Sequence, residues 1–241
     1  MSGRQLKISA SDGGESDGGE LDAYLALPTE PSAPGIVMLH EIFGVTDWVR
    51  ESANLFAEHG YCVAAPDMFW RMTPNFDGDH RDPGQTEQGR RYKQLIDHDT
   101  AMDDIAAVVS RLKSMPECNG KIGVTGFCTG GTLTYLAAAR LKIDAAVAYY
   151  GTQIHEFLDE GGNIACPMIF HMGDTDDRVP QGLPDMTRKA LNGVADIAIH
   201  TYDAGHAFAN THRPDYYSEV ASQTAHARTF ELFDSLKPRT D

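Results

Sequence analysis

The sequence predicts an α/β fold, in which helices cover both faces of a mostly parallel sheet. Apolar runs alternate with amphipathic segments along the chain, and most of these runs are apolar throughout, as in strands buried on both faces. The predicted strands are residues 35–39, 61–65, 121–125, 145–151, 168–173 and 197–202. With 241 residues, of which 41% are hydrophobic, the chain can bury one sizeable core, so we expect a single domain over residues 1–241.

The N-terminal region allows two interpretations. Residues 1–20 are polar and rich in Gly, Ser and Asp, and apolar residues recur at 6–8 and 21–25. This pattern fits a hairpin with a mobile tip or plain disorder, and the hairpin is favoured.

The helices are predicted from apolar residues that recur every three or four positions. One helix carries Val49, Ala53 and Phe56 and stops at Gly60; a second runs from Met102, a third covers 133–139, and the last lies around Ala225. Residues 71–90 are polar and contain two prolines, which indicates a long loop of the functional or mobile kind.

Composition excludes several classes of partner. The formal charge of −15 has no basic stripe to offset it, so nucleic acid and anionic membranes are not expected partners. No run approaches the roughly 18 apolar residues of a membrane span, and the first residues lack a signal-peptide core. The four cysteines form no close pair, which suits a reducing compartment. We expect a cytoplasmic monomer or small homo-oligomer.

One short segment indicates chemistry. Residues 126–131 read Gly-Phe-Cys-Thr-Gly-Gly, between a predicted strand and a predicted helix. A residue between glycines at such a turn is the nucleophile elbow of α/β-hydrolases, here with Cys128 where Ser is usual. The glycines allow close approach of strand and helix, and the helix N-terminus favours a developing anion. The alternative is a Gly-rich bend around a buried, inert cysteine.

Further candidates follow the other strand ends, where the chemistry of open α/β sheets collects. They are Glu41, Asp67, Tyr149 or Tyr150, an acidic turn with Asp174, Asp176 and Asp177, and His206. Nucleophile, acid and histidine in this order match α/β-hydrolases. Asp176 is favoured within the turn, with Asp174 and Asp177 as alternates. A solvated acidic loop and a packed histidine are the alternatives to a catalytic role.

No metal or cofactor is expected. The acidic turn lacks the glycine of a calcium loop and has Arg178 at a ligand position, while His206, His212 and His226 lack the spacing of metal ligands. The chemistry therefore falls to side chains: Cys128 attacks an acyl carbon, His206 takes and returns the proton, and an aspartate orients the imidazole.

Three segments resemble the dienelactone hydrolase (carboxymethylenebutenolidase) family: residues 126–131, His-Glu-Ile-Phe-Gly at 40–44, and Phe-His-Met-Gly at 170–173. The resemblance extends from about residue 20 to the C-terminus. It implies the α/β-hydrolase fold and a triad of Cys128, Asp176 and His206. It also implies an oxyanion hole made by the backbone N–H groups of Ile42 and Thr129, a carboxylate, Glu41, beside the resting thiol, and pocket residues. The predicted pocket residues are Phe43, Tyr92 and Tyr149.

The predicted place of Glu41 has a physical consequence. A thiol at a helix N-terminus readily becomes an oxidisable thiolate, whereas an adjacent carboxylate disfavours a second negative charge. Glu41 would therefore keep Cys128 neutral until substrate binds. The alternative is a surface acid that caps the following helix.

One position departs from the family pattern. In the family's lactone-acid hydrolases an Arg that holds the substrate carboxylate follows the catalytic histidine, and this chain has Asn210 there. Arg213, Arg90 or Arg91 could substitute for it, or the substrate could be neutral.

These features predict a cofactor-independent hydrolase of small lactones or activated esters with a Cys-linked acyl intermediate. A thiolate is expelled more readily than an amine, so peptides are not expected substrates. The alternatives are a general carboxylesterase and a non-enzymatic redox sensor that uses Cys128.

Overall fold

The computed structural model describes residues 3–10 and 18–238. The chain forms two compact units, residues 1–122 and 123–241, and strand β5 (Cys118–Phe127) runs across the boundary. The single domain expected from chain length stays a prediction.

The first unit contains a mixed sheet with strand order β1-β2-β4-β3. Strand β2 is antiparallel to both its neighbours, and β3 and β4 are parallel. The elements are β1 (Arg4–Ser9), β2 (Glu20–Ala26), β3 (Ala33–Leu39), α1 (Asp47–Glu58), β4 (Cys62–Pro66), α2 (Pro83–Leu95) and α3 (His98–Lys113). Strands β3 and β4 are buried throughout, as their continuous apolar runs predict.

The two N-terminal strands pair as the favoured hairpin interpretation predicts. Leu6 lies opposite Ala23 and Ser9 opposite Glu20 in an antiparallel ladder. Alternate residues of β1 are buried, which is the period-2 pattern of a strand with one solvent-facing side. The hairpin tip, residues 11–17, lies outside the described residues.

The second unit contains parallel strands in the order β5-β6-β7-β8. Its elements are α4 (Thr129–Arg140), β6 (Ala145–Tyr149), β7 (Met168–Gly173), α5 (Leu183–Ala190), β8 (Ile197–Tyr202) and α6 (Glu219–Asp234), with two short 3₁₀ segments at Ile154–Glu156 and Leu158–Asn163. The predicted α/β-hydrolase class, with a mostly parallel sheet and helices on both faces, is confirmed. Across the described ranges, no helix combines the length and apolarity that a bilayer span requires.

The prediction of a loop over residues 71–90 is wrong for its second half, because helix α2 begins at Pro83. The Asp82 side chain accepts hydrogen bonds from the backbone N–H groups of Gly84 and Gln85, and proline at the first helical position is preset for the helix. Helix α2 buries only Gly89 and Tyr92. Its sequence therefore lacks the apolar period from which the other helices were predicted.

Helix α5 and the 3₁₀ segments were not predicted either. Helix α5 has only eight residues and buries only Leu183 and Thr187, which is too few for a recognisable period. Gly182, at φ +79°, begins it in the left-handed conformation that favours glycine.

A buried hydrogen-bond network ties α6 to the sheet of the second unit, and Thr229 on α6 is its centre. The Thr229 hydroxyl donates to the Ala225 carbonyl at 2.9 Å. Its oxygen is thereby left to accept from the Tyr149 hydroxyl at 2.6 Å and from His171 Nε2 at 3.1 Å. His171 therefore carries its proton on Nε2.

The other ring nitrogen of His171 completes the network. His171 Nδ1 accepts from the Tyr202 hydroxyl at 2.8 Å, and the Tyr202 oxygen accepts from the Arg228 guanidinium at 3.0 Å. Burial, followed by the nearby charges of His200, His226 and Arg228, holds the pKa of His171 well below its usual range. A neutral His171 thus links β7, β8 and α6.

The stability of the protein should depend on this neutral histidine. The folded-state pKa of His171 is depressed, so its contribution is complete above pH 6.5 and is lost as the pH falls, because the unfolded chain then takes up a proton. We expect the free energy of unfolding, measured by urea titration, to fall below pH 6.5 more steeply in the wild type than in His171→Asn. The slopes should differ by up to about 1.4 kcal/mol per pH unit.

Thr229→Val is the matched control, because it removes a partner of His171 without removing a titrating group. It should lower stability by about 1–3 kcal/mol and keep the wild-type slope. Equal slopes for wild type and His171→Asn would contradict the prediction.

Candidate functional site

The turn between β5 and α4 holds Cys128 in an unusual backbone conformation. Cys128 has φ +57° and ψ −114°, a region that residues with side chains rarely occupy. Its N–H donates to the Tyr149 carbonyl at 3.1 Å, and its carbonyl accepts from the N–H groups of Gly131 and Thr132 at 3.0 and 3.2 Å. These bonds hold the conformation on both sides of the residue, as a nucleophile elbow requires.

Two glycines make the turn sterically possible. A Cβ on Gly126 would lie 2.3 Å from the Gly130 carbonyl oxygen, and one on Gly131 would lie 2.5 Å from the Tyr149 carbonyl oxygen. The nearest atoms belong to the backbone, so they cannot move aside to make room for a side chain at either glycine. The predicted need for glycine is confirmed at Gly126, and Gly131, the residue after the Gly-x-Cys-x-Gly motif, is required for the same reason.

The loops that follow β7 and β8 meet through their backbones. The N–H of Asp174 donates to the Tyr202 carbonyl at 2.9 Å, and the N–H of Thr175 donates to the Ala204 carbonyl at 3.2 Å. A Cβ on Gly173 would lie 2.4 Å from the Ala204 oxygen. Glycine at the end of β7 therefore lets the acidic turn approach the loop that carries His206.

Asp176 is the aspartate of the acidic turn whose carboxylate contacts His206. His206 Nδ1 donates to Asp176 Oδ2 at 2.8 Å, and the two side chains are 6% and 2% exposed. The other Asp176 oxygen accepts from the N–H of Arg178 at 2.8 Å. Asp177 is exposed and pairs with Arg178, and Asp174 is also exposed.

Asp176 uses Nδ1 of His206, and the causes that shift the pKa of the ring include a side-chain hydrogen bond to Cys128. Burial by itself would lower the pKa of His206. Negative charge on Cys128, the hydrogen bonds to Asp176 and Cys128, and the Asp176 charge together raise it to about 10. Negative charge from Cys128 and Asp176 therefore favours the protonated form of the His206 ring.

Tyr150 was noted in the sequence only as an alternative to Tyr149, yet its ring lies beside the imidazole. Its ring centroid is 5.1 Å from that of His206 in an edge-on arrangement, and 5.2 Å from that of Phe208. Tyr150 has φ +38°, which is uncommon for an aromatic residue and could not be read from the sequence. It forms one wall around His206.

Tyr149 and Asn210 are buried in the second unit. The Tyr149 hydroxyl contacts Thr229 in the network described above, which directs it into the core. The Asn210 side chain is 4% exposed, and its Oδ1 accepts from the N–H of His212 at 3.0 Å, which closes the turn after His206. Arg213 lies over the Tyr216 ring at 4.1 Å. The substrate-binding roles of Tyr149 and Asn210 stay predictions.

Glu41, Ile42 and Phe43 lie in the first unit, directly after β3. Glu41 and Phe43 are buried, and the Phe43 carbonyl accepts from the N–H of Gly78 at 2.8 Å. A Cβ on Gly89 would lie 2.1 Å from the Ile42 carbonyl oxygen, so glycine is needed where α2 crosses this segment. The roles of the three residues in a site stay predictions.

Tyr92, Arg90 and Arg91 lie on α2, so Arg90, the last residue of the predicted loop, is helical. Tyr92 is buried between the rings of Phe69 and Phe76, with centroids at 5.4 and 5.2 Å. Its hydroxyl contacts Thr73 and Gln88. Arg90 and Arg91 are exposed, and Arg90 lies 3.7 Å from Glu87.

A search of residues 3–10 and 18–238 finds no group of three or more His, Cys, Asp or Glu side chains placed to hold a metal ion. His40, the residue after β3, is a structural residue of the first unit. Its Nε2 accepts from the N–H of Met68 at 2.9 Å, and burial lowers its pKa.

Comparison with known proteins identifies relatives of this chain. The model of the dienelactone hydrolase family matches residues 21–236. Carboxymethylenebutenolidase 1 of Cupriavidus pinatubonensis is 33% identical over 220 residues, which cover 91% of this chain and 94% of the relative. The carboxymethylenebutenolidase of Pseudomonas sp. strain P51 is 33% identical over 223 residues, 92% of each chain.

Solved structures agree with the sequence relatives. A candidate dienelactone hydrolase from Klebsiella pneumoniae superposes with a TM-score of 0.83 at 26% identity, over 97% of this chain and 99% of that one. An acylaminoacyl peptidase of Pyrococcus horikoshii superposes at 0.73 and 16% identity over 99% of this chain and 42% of that one, which shows the fold alone. This chain therefore belongs to the dienelactone hydrolase family and has the α/β-hydrolase fold.

Proposed function

We propose that this protein hydrolyses small lactones or activated esters through an acyl thioester on Cys128. The observation that carries the proposal is the hydrogen bond of His206 to Asp176, with Cys128 close enough to the ring to raise its pKa, on loops that follow three different strands. A catalytic triad consists of a nucleophile, a base within hydrogen-bond reach of it and a group that orients the base. Family membership supports a hydrolase and leaves the substrate open.

In the proposed acylation step, the Cys128 sulfur attacks the carbonyl carbon and the carbonyl oxygen takes the negative charge. His206 holds the thiol proton on Nε2, and Asp176 stabilises the imidazolium through its bond to Nδ1. The carbon–oxygen bond of the ester then breaks, and Nε2 protonates the leaving oxygen. In a lactone this oxygen stays attached to the acyl group.

In the proposed deacylation step, His206 takes a proton from water, the hydroxide attacks the thioester carbon, and the carbon–sulfur bond breaks. The sulfur recovers the proton from His206, so the enzyme returns to its starting state. The backbone N–H of Thr129 would hold the oxyanion in both steps, and the resemblance predicts the Ile42 N–H as its second donor. Glu41 as the carboxylate that keeps the resting thiol neutral is likewise a prediction.

A sulfur nucleophile restricts the substrate class. The tetrahedral intermediate expels its less basic group, so an enolate or phenolate can compete with the thiolate as the leaving group and an amine cannot. Enol-lactones and aryl esters therefore fit the site better than amides. The buried site, with Cys128 7% exposed, also favours a small substrate.

Cys128 should carry the acyl group. Cys128→Ala should lower kcat on an aryl ester by about 10⁴-fold or more, because the nucleophile is lost. Cys118→Ala is the control and should keep wild-type kcat, since Cys118 lies at the start of β5, far along the strand from the elbow. Mass spectrometry of protein quenched with a slow ester should find the acyl mass on the Cys128 peptide. Turnover by Cys128→Ala at the wild-type rate would refute the proposal, and so would an adduct at another residue.

Asp176 should set the pH range of activity. The raised pKa of His206 means that its imidazole stays protonated up to about pH 10. Asp176→Asn removes a cause of that rise, so the alkaline limb of the kcat/KM profile should move to lower pH. We also expect kcat to fall by about 10²–10⁴-fold. Asp177→Asn, on the exposed neighbour, should leave the profile in place. An unmoved alkaline limb in Asp176→Asn would contradict the assigned role.

A general carboxylesterase is the second candidate, and Asn210 is the observation that favours it. The Asn210 amide is neutral and closes a turn, so it offers no positive charge to a substrate carboxylate. A neutral nitrophenyl ester would then be cleaved in preference to a carboxylated dienelactone.

Parallel assays on the two substrates test this choice. Asn210→Arg should raise kcat/KM for the carboxylated lactone relative to the neutral ester by about tenfold, since a charge-assisted pair contributes about 1.5–3 kcal/mol. Asn210→Gln is the uncharged control and should leave the ratio unchanged. An unchanged ratio in Asn210→Arg, with wild-type melting temperature, would show that this position does not select for charge.

A further inference from the structure

The hydroxyl of Thr129, the residue after Cys128, is an unexplained polar group in the second unit. Thr129 is 4% exposed, and its Oγ1 has no hydrogen-bond partner within residues 3–10 and 18–238. A buried hydroxyl without a partner destabilises a fold, and most buried polar groups are paired for that reason. The exception calls for a physical reason at this position.

The other threonines of α4 show that the environment does not prevent pairing. The Thr134 hydroxyl donates to the Gly130 carbonyl at 2.8 Å, and Thr132 Oγ1 accepts from the N–H of Gln153 at 3.0 Å. Thr129 is the first residue of the helix, so no carbonyl of a preceding turn is available to it. Its hydroxyl is therefore available to a ligand.

Covalent geometry allows this hydroxyl to lie beside the predicted oxyanion donor. In an α-helix the Cα–Cβ bond tilts toward the N-terminus, so the Thr129 side chain leans toward the turn that carries Cys128. The Oγ1 atom lies three bonds from the Thr129 nitrogen, about 3 Å away in a gauche rotamer. An oxygen that accepts from the Thr129 N–H is then within reach of the hydroxyl as well.

We propose that the Thr129 hydroxyl is a further oxyanion donor, which hydrogen-bonds to the substrate oxygen as the bond from Cys128 to the acyl carbon forms. The hydroxyl keeps its proton throughout, and no covalent bond to it forms or breaks. The inference rests on the proposed function, because it needs an acyl substrate on Cys128. It makes Thr129 a catalytic residue through its side chain as well as its backbone.

The stability and the activity of Thr129 variants should move in opposite directions. Thr129→Val keeps the shape of the side chain and removes the unpaired hydroxyl, so its melting temperature should equal or exceed that of the wild type. Its kcat on an aryl ester should fall by about tenfold or more with little change in KM, since the negative charge exists only in the transition state. Thr129→Ser should keep kcat within about threefold, because it retains the donor.

Thr187→Val is the matched control for a buried threonine on a helix. The Thr187 hydroxyl donates to the Leu183 carbonyl at 2.8 Å, so its loss should lower the melting temperature and leave kcat unchanged. The pair of variants separates loss of a structural hydroxyl from loss of a functional one.

Alkylation by iodoacetamide tests whether the partner of the Thr129 hydroxyl is the substrate oxyanion or the Cys128 sulfur. Alkylation consumes the thiolate without making an oxyanion, so Thr129→Val should alkylate Cys128 at the wild-type rate while its acyl transfer is slow. A parallel fall in both rates would overturn the proposal, because the hydroxyl would then act on the sulfur. Wild-type kcat in Thr129→Val would also overturn it.

The results that would refute the proposed function differ from those that would refute the role of the Thr129 hydroxyl. If no acyl group appears on Cys128 and Cys128→Ala keeps its turnover, the thioester mechanism itself is wrong. If the Cys128 adduct forms and Thr129→Val matches the wild type, only the inference on Thr129 is wrong.

Discussion

The backbone at Cys128 is the constraint on which the site depends. A residue with a side chain at φ +57° and ψ −114° is strained by about 1–3 kcal/mol, and it persists only where its surroundings determine it. Here they do so through the hydrogen bonds to Tyr149, Gly131 and Thr132 and through glycines that admit neighbouring backbone atoms. This backbone conformation turns the chain sharply after β5, so that Cys128 stands at the start of α4.

The same construction is repeated along the sheet of the second unit. The residue after each strand donates its N–H to a carbonyl of the neighbouring strand: Cys128 donates to Tyr149, Tyr150 to His171, and Asp174 to Tyr202. The parallel ladder thus continues one residue beyond each strand. Loops held in this way bring Cys128, Asp176 and His206 together, although 78 positions separate the first from the last along the chain.

Local sequence was sufficient where periodicity and turn chemistry were strong. The parallel strands of the second unit, the elbow and its glycines were predictable, because continuous apolar runs and a Gly-x-Cys-x-Gly turn allow few other structures. Helix α2 was not predicted, since it buries almost nothing; the signal that could have found it is Asp82 followed by Pro83.

The site was predictable by residue type and chain order, and its contacts were not. Three aspartates share the acidic turn, and only the fold of that turn turns Asp176 inward while Asp177 stays exposed. Tyr149 and Tyr150 are adjacent residues of the same type, yet they face different ways. The Tyr150 ring lies beside His206, and the Tyr149 hydroxyl donates to Thr229. Such differences depend on backbone angles that a sequence of adjacent identical residues does not reveal.

Two destabilising features therefore lie next to each other: the strained backbone of Cys128 and the hydroxyl of Thr129, which has no partner in the part of the chain that the structure describes. Local conflicts with a stable fold tend to concentrate at functional sites, because a site must present groups that the fold itself does not satisfy. The paired threonines further along α4 show that the same helix satisfies its hydroxyls where no ligand is expected. The contrast within one helix supports function, and not imperfect packing, as the reason that Thr129 is left unpaired.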